Sequence, residues 1–484
     1  MNGLFGGGNG TMFSPFLVED VFDLDAVRNN LTAYYLQVVN IDLISISNWN
    51  PIRGFKGVFS GNKFTISNLA IDRGTEDNVG LFGDVRNPDI VALRNINLIN
   101  ANVTGANNTG ALVGDAQCII KKCNVSNSRI NSIGVLKGNC GGIVGYLNTS
   151  TIKYCTVDNT TITTEGARAG GVVGRASYLK EASFCFAINI NVESTGSIGG
   201  SIGGVFGLLE GHVDGGIVKY CKSTGNVKGK NSIGGLAGGL DSYATGIKGA
   251  IRIEWCYSEC SILGAENVGG LIGSANLYAS STAFRGVLNC YSAGNVEGAK
   301  YVAGVCGFSS STEFNILKCY ASGNTICNAI LDYSFTSIIE SGIVTGDGIT
   351  SAYNIVLGNI LNNTLINAVY NVGRVFPVSN VSILNYYLNT ITVNNLTNAD
   401  GNSTTTEQAK SKSFYEALGW SFEKKNEWKI QEGVNYPYLD LDIGWIGINE
   451  ILEKKNGEWI EIEEVWEKKN GVWGDMSEVW EIQK

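Results

Sequence analysis

Imidazole, proline and charge are all scarce in this chain. Its 484 residues include one His (His212), three Met and five Pro, and only 16% are charged. A single His leaves no material for a His-based zinc site or for repeated imidazole catalysis. The 35 basic against 44 acidic side chains give a net charge of −9, so the basic footprint of a nucleic-acid binder is missing. No apolar run reaches the roughly 18 residues a spanning helix needs, so no membrane insertion is expected. HExxH and the P-loop are absent, and with them the chemistries those spacings serve. The opening Met1–Gly8 has neither a basic n-region nor an apolar h-region, so no secretory leader is expected and assembly in a cytoplasm is.

Against these absences stand 63 Gly, 12 Cys and a hydrophobic fraction of 44%, ample for a packed interior. The Gly residues are periodic. A Gly-small-apolar-apolar-Gly pentapeptide recurs at Gly110–Gly114, Gly141–Gly145, Gly170–Gly174, Gly203–Gly207, Gly234–Gly238 and Gly269–Gly273. Ala303–Gly307 is a variant and Val79–Gly83 a forerunner, and the steps between copies run from 29 to 35 residues. A Cys follows each copy from Gly110–Gly114 onward, at Cys123, Cys155, Cys185, Cys221, Cys256, Cys290 and Cys319. Between these markers lie short runs rich in Val, Ile, Thr and Tyr, bounded by Gly and Asn, which read as strand–turn–strand. The period predicts an all-β fold: a parallel β-solenoid of about eight or more coils, each strand pairing with its counterpart ~4.8 Å away. Gly is expected to supply positive φ or close approach at the corners. The seven Cys then form a buried ladder of reduced thiols, since neighbours ~4.8 Å apart lie beyond disulfide reach. No CxxC pair occurs, so neither metal nor cofactor is expected.

Flanking segments read as caps. Val21, Leu24, Val27 and Leu31 fall near one face of a short helix that Asp20 can cap. Thr404 and Glu407 make a capping-box pattern, and Gly419 can stop that helix. This divides the chain into an arm and cap (1–78), regular coils (79–327), degenerate coils with a closing cap (328–443) and a Trp-rich tail (444–484). In the tail, Glu453–Trp466 and Glu467–Trp480 are two copies of one unit, with Asn456-Gly457 and Asn470-Gly471 as turn signals for a small antiparallel meander.

The pentapeptides, with Ser14–Asn30, Gly54–Ile71, Thr404–Trp420 and Trp428–Leu439 around them, resemble the GLUG-motif repeats of bacterial surface proteins and some phage proteins. The tandem Lys-Asn-Gly-x-Trp units resemble the C-terminal tails of phage tail-associated proteins. The resemblance implies a scaffold more than an activity. It points to a non-enzymatic virion fibre, spike or decoration protein that contacts other virion proteins and a host-surface glycan or protein. A trimer is compatible with that setting, although no coiled-coil heptads are present. The alternatives are a bacterial cell-surface adhesin and a polysaccharide-depolymerising tailspike.

Candidate contact residues come from loop length. The distance from the last pentapeptide Gly to the ladder Cys is 9, 10, 11, 14, 18, 17 and 12 residues along the series. Stacking places the three longest excursions side by side, carrying Glu210, His212, Asp214, Asp241, Tyr243, Tyr278 and Phe284. Neutral drift in exposed loops is the competing explanation. An extended Glu210–Asp214 aims its polar side chains at one face, and the depolymerase alternative needs two such carboxylates across a groove; a solvated loop is the simpler reading, so no catalytic residue is assigned. Trp459, Trp466, Trp473 and Trp480 are candidates for stacking on sugars or a partner, or else fill the core of a small meander.

Overall fold

The computed structural model describes residues 5–135, 138–197, 199–211, 215–241, 251–277, 285–310 and 314–328. Beyond these it describes strand segments between 338 and 390, then 402–423, 427–441 and four strands between 452 and 475. Residues 1–440 and 441–484 form two units.

The first unit is a parallel β-solenoid of about eight turns. Strands that precede each glycine marker, from Thr109–Gly110 through Arg168–Gly170 and Ser201–Gly203 to Tyr370–Gly373, stack into a nine-stranded sheet. The other strands of each coil join one continuous sheet around the remaining faces. Apolar residues recur in register, so each interior position becomes a row along the stack. Ile120, Ile152, Ala182, Val218, Ile253, Val287 and Ile316 are successive parallel partners, and none is exposed. Such a row buries every β-branched side chain against its own kind above and below. The strands at 338–362 continue the same pairings, so the stretch without markers remains coiled.

The corners differ from the expectation in one respect. Positive φ falls mainly on side-chain-bearing residues: Asn95, Lys122, Tyr154, Phe184, Tyr220, Trp255, Asn289 and Lys318 all have φ between 53° and 56° apart from Phe184 at 52°. Each immediately precedes the ladder position. The pentapeptide glycines instead serve close approach. A Cβ on Gly238 would overlap the backbone of Ser201 and Ile202 in the preceding coil. Left-handed backbone at bulky residues costs on the order of 1–3 kcal/mol each and persists only where the surroundings enforce it.

That corner also explains why Cys follows it. At the bend the Cys N–H meets a thiol of the next coil, while the carbonyl two residues earlier, which already accepts from the corner N–H of the preceding coil, takes the thiol's hydrogen as well. Cys256 Sγ accepts from the Cys221 N–H at 3.3 Å and donates to the Glu254 carbonyl at 3.2 Å; Cys290 repeats both contacts with Cys256 and Leu288. A thiol is small, apolar enough to bury, and able to accept and donate weakly. All twelve Cys are buried free thiols, and Cys155 and Cys185 are direct register partners. Burial pushes the thiols of Cys123, Cys185, Cys256 and Cys319 well up, and Cys260 to about 11. After Cys319 the row continues as Asn354 and Asn385. Asn354 Oδ1 takes the Cys319 N–H at 2.8 Å and Asn385 Oδ1 takes the Asn354 N–H at 2.9 Å.

At the first end, Asp20 caps Val21–Ala26 by accepting from Phe22 and Asp23, with Leu24 and Val27 fully buried. The lead-in is itself wound: Phe16–Val18 pairs with Tyr34–Gln37, which pairs with Val58–Ser60. At the other end the capping box is Thr405 with Gln408, one residue beyond the expected Thr404 and Glu407. Thr404 is instead drawn into a strand, paired with Leu388 and buried. Gly419, at φ +76, follows the second short helix, Lys412–Ala417. The closing segment then folds back along the side of the stack. Trp428, fully buried, sits 4.6 to 6.2 Å from the rings of Trp420, Tyr320, Tyr291 and Trp255, and Lys318 Nζ donates to the Gly419 carbonyl.

The second unit contains two antiparallel pairs, Leu452–Lys455 with Glu458–Glu461 and Trp466–Lys469 with Val472–Asp475. Each pair forms a two-stranded sheet among the described residues, the small antiparallel C-terminal part that the Asn-Gly turn signals predicted.

Candidate functional site

Stacking turns sequence columns into surface rows. One row, two residues before the first pentapeptide Gly, runs Arg168, Ser201, Ser232, Asn267, Tyr301. A second, one residue after the last Gly, runs Tyr146, Arg175, Leu208, Gly239, Ser274, Phe308. Both rows are large at the ends and small in the middle. The result is a polar trough of about 310 Å³ along one flank, lined among others by Arg168, Ser201, Ser232, Asp241, Ser274 and Asn276. Gly239 deepens it, because any side chain there would press on Ser201 Oγ at 2.7 Å and Leu208 Cδ1 at 3.0 Å. Ser274 Oγ donates to Ser232 Oγ at 3.0 Å and ties the two rows across the floor.

Charges cluster at one end. Arg175 holds Glu210 through two hydrogen bonds of 3.0 and 2.9 Å, Ser177 Oγ donates to the same carboxylate, and the Arg175 guanidinium lies 5.4 Å from the Tyr146 ring centroid. Glu210 is only 1% exposed. Beside this pair stands Arg168, half-buried, its side chain making no hydrogen bond or ion pair to the described residues. Its pKa is lowered by burial and by the adjacent Arg175, with Glu210 and Asp241 compensating in part. At the opposite end Tyr301 packs on Phe308 with centroids 4.8 Å apart, and Lys300 lies over Tyr301.

Of the residues nominated from loop length, Asp241 lines the trough, and Glu210 lies beneath its charged end with its carboxylate turned inward. His212, Asp214, Tyr243, Tyr278, Phe284 and Trp480 fall outside the described residues. Trp459, Trp466 and Trp473 occupy strands of the second unit, opposite Lys454, Asp475 and Lys468. Sequence reading missed Arg168 and the small floor residues. Their signal was present: aligning the pentapeptides exposes the large–small–large columns.

Two other aromatic rows are spoken for. Tyr154, Phe184 and Tyr220 stack with centroids 5.0 and 4.9 Å apart, and Tyr257, Tyr291 and Tyr320 at 4.7 and 4.9 Å. Their faces cover one another, so they offer no open platform to a sugar ring. Among the described residues, no cluster of three or more His, Cys, Asp or Glu could hold a metal, and no helix is long and apolar enough to cross a membrane.

No family model matches the chain. Over 151 residues it is 34% identical to "Halomucin" of Haloquadratum walsbyi, a stretch that is 29% of this chain and 2% of that protein. Over 136 residues it is 35% identical to a "Putative Gly-rich membrane protein" of Evansella cellulosilytica, covering 25% of this chain and 16% of that one. The chain therefore spans a small part of the length of these curated relatives. A solved structure, a "putative immunoglobulin A1 protease" from Bacteroides ovatus, aligns over 91% of this chain and 96% of its own at 17% identity with a TM-score of 0.39.

Proposed function

We propose that the protein is a non-enzymatic adhesive scaffold of a cell or particle surface, and that the flank trough is its contact face. The trough is the observation that carries this reading. It is a shaped, polar, outward-facing groove built from stacked coils whose interior is filled by side chains, and repeat scaffolds bind along such faces. The names of two relatives, a halomucin and a Gly-rich membrane protein, support a surface setting. Glu210, the carboxylate that a depolymerase reading would use as acid or nucleophile, is committed to Arg175 and Ser177.

A second reading places the same scaffold on a phage-like particle as a fibre or decoration protein. The paired hairpins at 452–475, with their repeated Lys-Asn-Gly-x-Trp units, favour it. Both settings share one test. Purified protein is incubated with intact bacterial cells and with isolated surface polysaccharide, and soluble products are followed by mass spectrometry. Retention without released oligosaccharide is expected. Released oligosaccharide would replace adhesion with cleavage.

A further inference from the structure

We propose that the trough binds an anionic polysaccharide, a glycan chain bearing carboxylates, one of which is clasped by Arg168. This rests on the adhesive reading above and names its ligand class. The first ground is Arg168 itself. Its guanidinium lines the trough, is half-buried, and has no hydrogen bond or ion pair to the described residues. Beside it, the charge of Arg175 is already matched by Glu210 at 2.9 Å. A planar fork of donors held at the mouth of a groove, half-buried and without an acceptor of its own among the described residues, suits a carboxylate taken in two parallel hydrogen bonds.

The second ground is the floor. Ser201, Ser232, Ser274, Asn231 and Asn276 offer hydroxyls and amides that both donate and accept, as the hydroxyls of a sugar do. Asp241, the register partner of Glu210 and near enough for its charge to act on Arg168, would repel a second carboxylate, so it sets which way the ring faces. Peptide ligands fit less well. Leu208 and Leu240 are the large apolar residues lining the trough, and both are buried in the wall, so an anchor residue has no pocket. The strands beneath are paired on both sides, which leaves no edge for an added strand. The third ground is repetition: equivalent polar groups recur every ~4.8 Å along the trough, a spacing that engages an extended repeating chain better than a compact solute.

The test measures binding of the full chain to an oligogalacturonate, a hyaluronan fragment and a sialylated oligosaccharide, each beside its methyl-esterified form. The esters keep the shape and remove the charge. At least one acid form is expected to bind at least about tenfold more tightly than its ester, and to weaken with added salt. Arg168→Gln should lose about tenfold or more, and Arg168→Lys less, with far-UV circular dichroism and melting as fold controls. Equal binding of acid and ester, an unchanged Arg168→Gln, or no binding of any acid form overturns the assignment. Should Arg168→Gln fail to fold, the acid–ester comparison on the unaltered protein decides alone. Adhesion of the same protein to intact cells is measured in parallel. Cells retained while the acids fail would sink the anionic ligand and leave the adhesive reading in place; loss of both would remove the two together.

Discussion

Replacing Asn354 separates hydrogen bonding from packing in the interior row. Its side chain is fully buried. Oδ1 accepts from the Cys319 N–H at 2.8 Å, while Nδ2 donates to the Ile316 carbonyl at 2.9 Å and to Asn385 Oδ1 at 3.1 Å. Asn354→Val keeps much of the volume but strands the Cys319 donor and the Ile316 acceptor. Each unsatisfied buried group costs about 1–3 kcal/mol, so a loss of about 3 kcal/mol is expected. Asn354→Cys restores the arrangement of the regular coils, where Cys256 meets the Cys221 N–H and the Val218 carbonyl, and should cost about 1 kcal/mol or less. Urea midpoints give the stability change, and hydrogen exchange read on peptides containing Cys319 localises it. Equal stability of the Val and Cys variants would show that packing alone fills this row. A Val variant more stable than the parent would refute the hydrogen-bonding account outright.

Four further outcomes are expected. Glu210→Ala leaves Arg175 without its partner and should cost about 2–3 kcal/mol, less than a fully buried pair because the Arg175 side chain keeps 25% of its exposure; a thermal melt reads it. Gly238→Ala forces a Cβ into the backbone of the neighbouring coil and should lower stability by about 3 kcal/mol or more in the same melt. Trp428→Ala empties the contact between the closing segment and the stacked tyrosines, with a loss of about 3–5 kcal/mol and a changed near-ultraviolet dichroism. Glu181 is penalised by burial, but Lys153 at 2.9 Å and Lys219 at 3.2 Å outweigh that and hold its pKa below the ordinary glutamate value. Its folded pKa lies below its unfolded one, so its contribution is present above the ordinary glutamate value and is lost as pH falls through the folded one. Glu181→Gln should therefore flatten the fall in urea midpoint between about pH 5 and pH 3.

The solenoid was legible because its periodicity operates on whole coils. A glycine marker every thirty-odd residues and one Cys per coil admit few folds, and the rows from Ile120 to Ile316 follow from register alone. What sequence reading misplaced were local choices that tertiary context decides. Gly was expected to supply positive φ or close approach at the corners; it supplies the close approach, whereas Tyr154 and Trp255 take the positive φ because the coils above and below hold the corner. Asn354 and Asn385 were passed over as ladder members since the row was defined by residue type; its physical definition is a side chain that satisfies an inward N–H and carbonyl. The capping box moved by one residue because a strand claimed Thr404 first. The trough was missed for a different reason. Loop length drew attention to insertions, whereas the contact surface is set by two columns beside the glycines, visible only when the repeats are superposed.

Filling the trough tests the central claim most directly. Ser274→Trp places a large ring over the floor between Gly239 and Phe308, on a row whose backbone pairing it need not disturb. Binding of this variant and of the parent to intact bacterial cells is compared by flow cytometry, after circular dichroism has shown equal folding. Loss of adhesion with the fold intact is the predicted result. Undiminished adhesion by the blocked variant would place the contact face elsewhere and contradict the account.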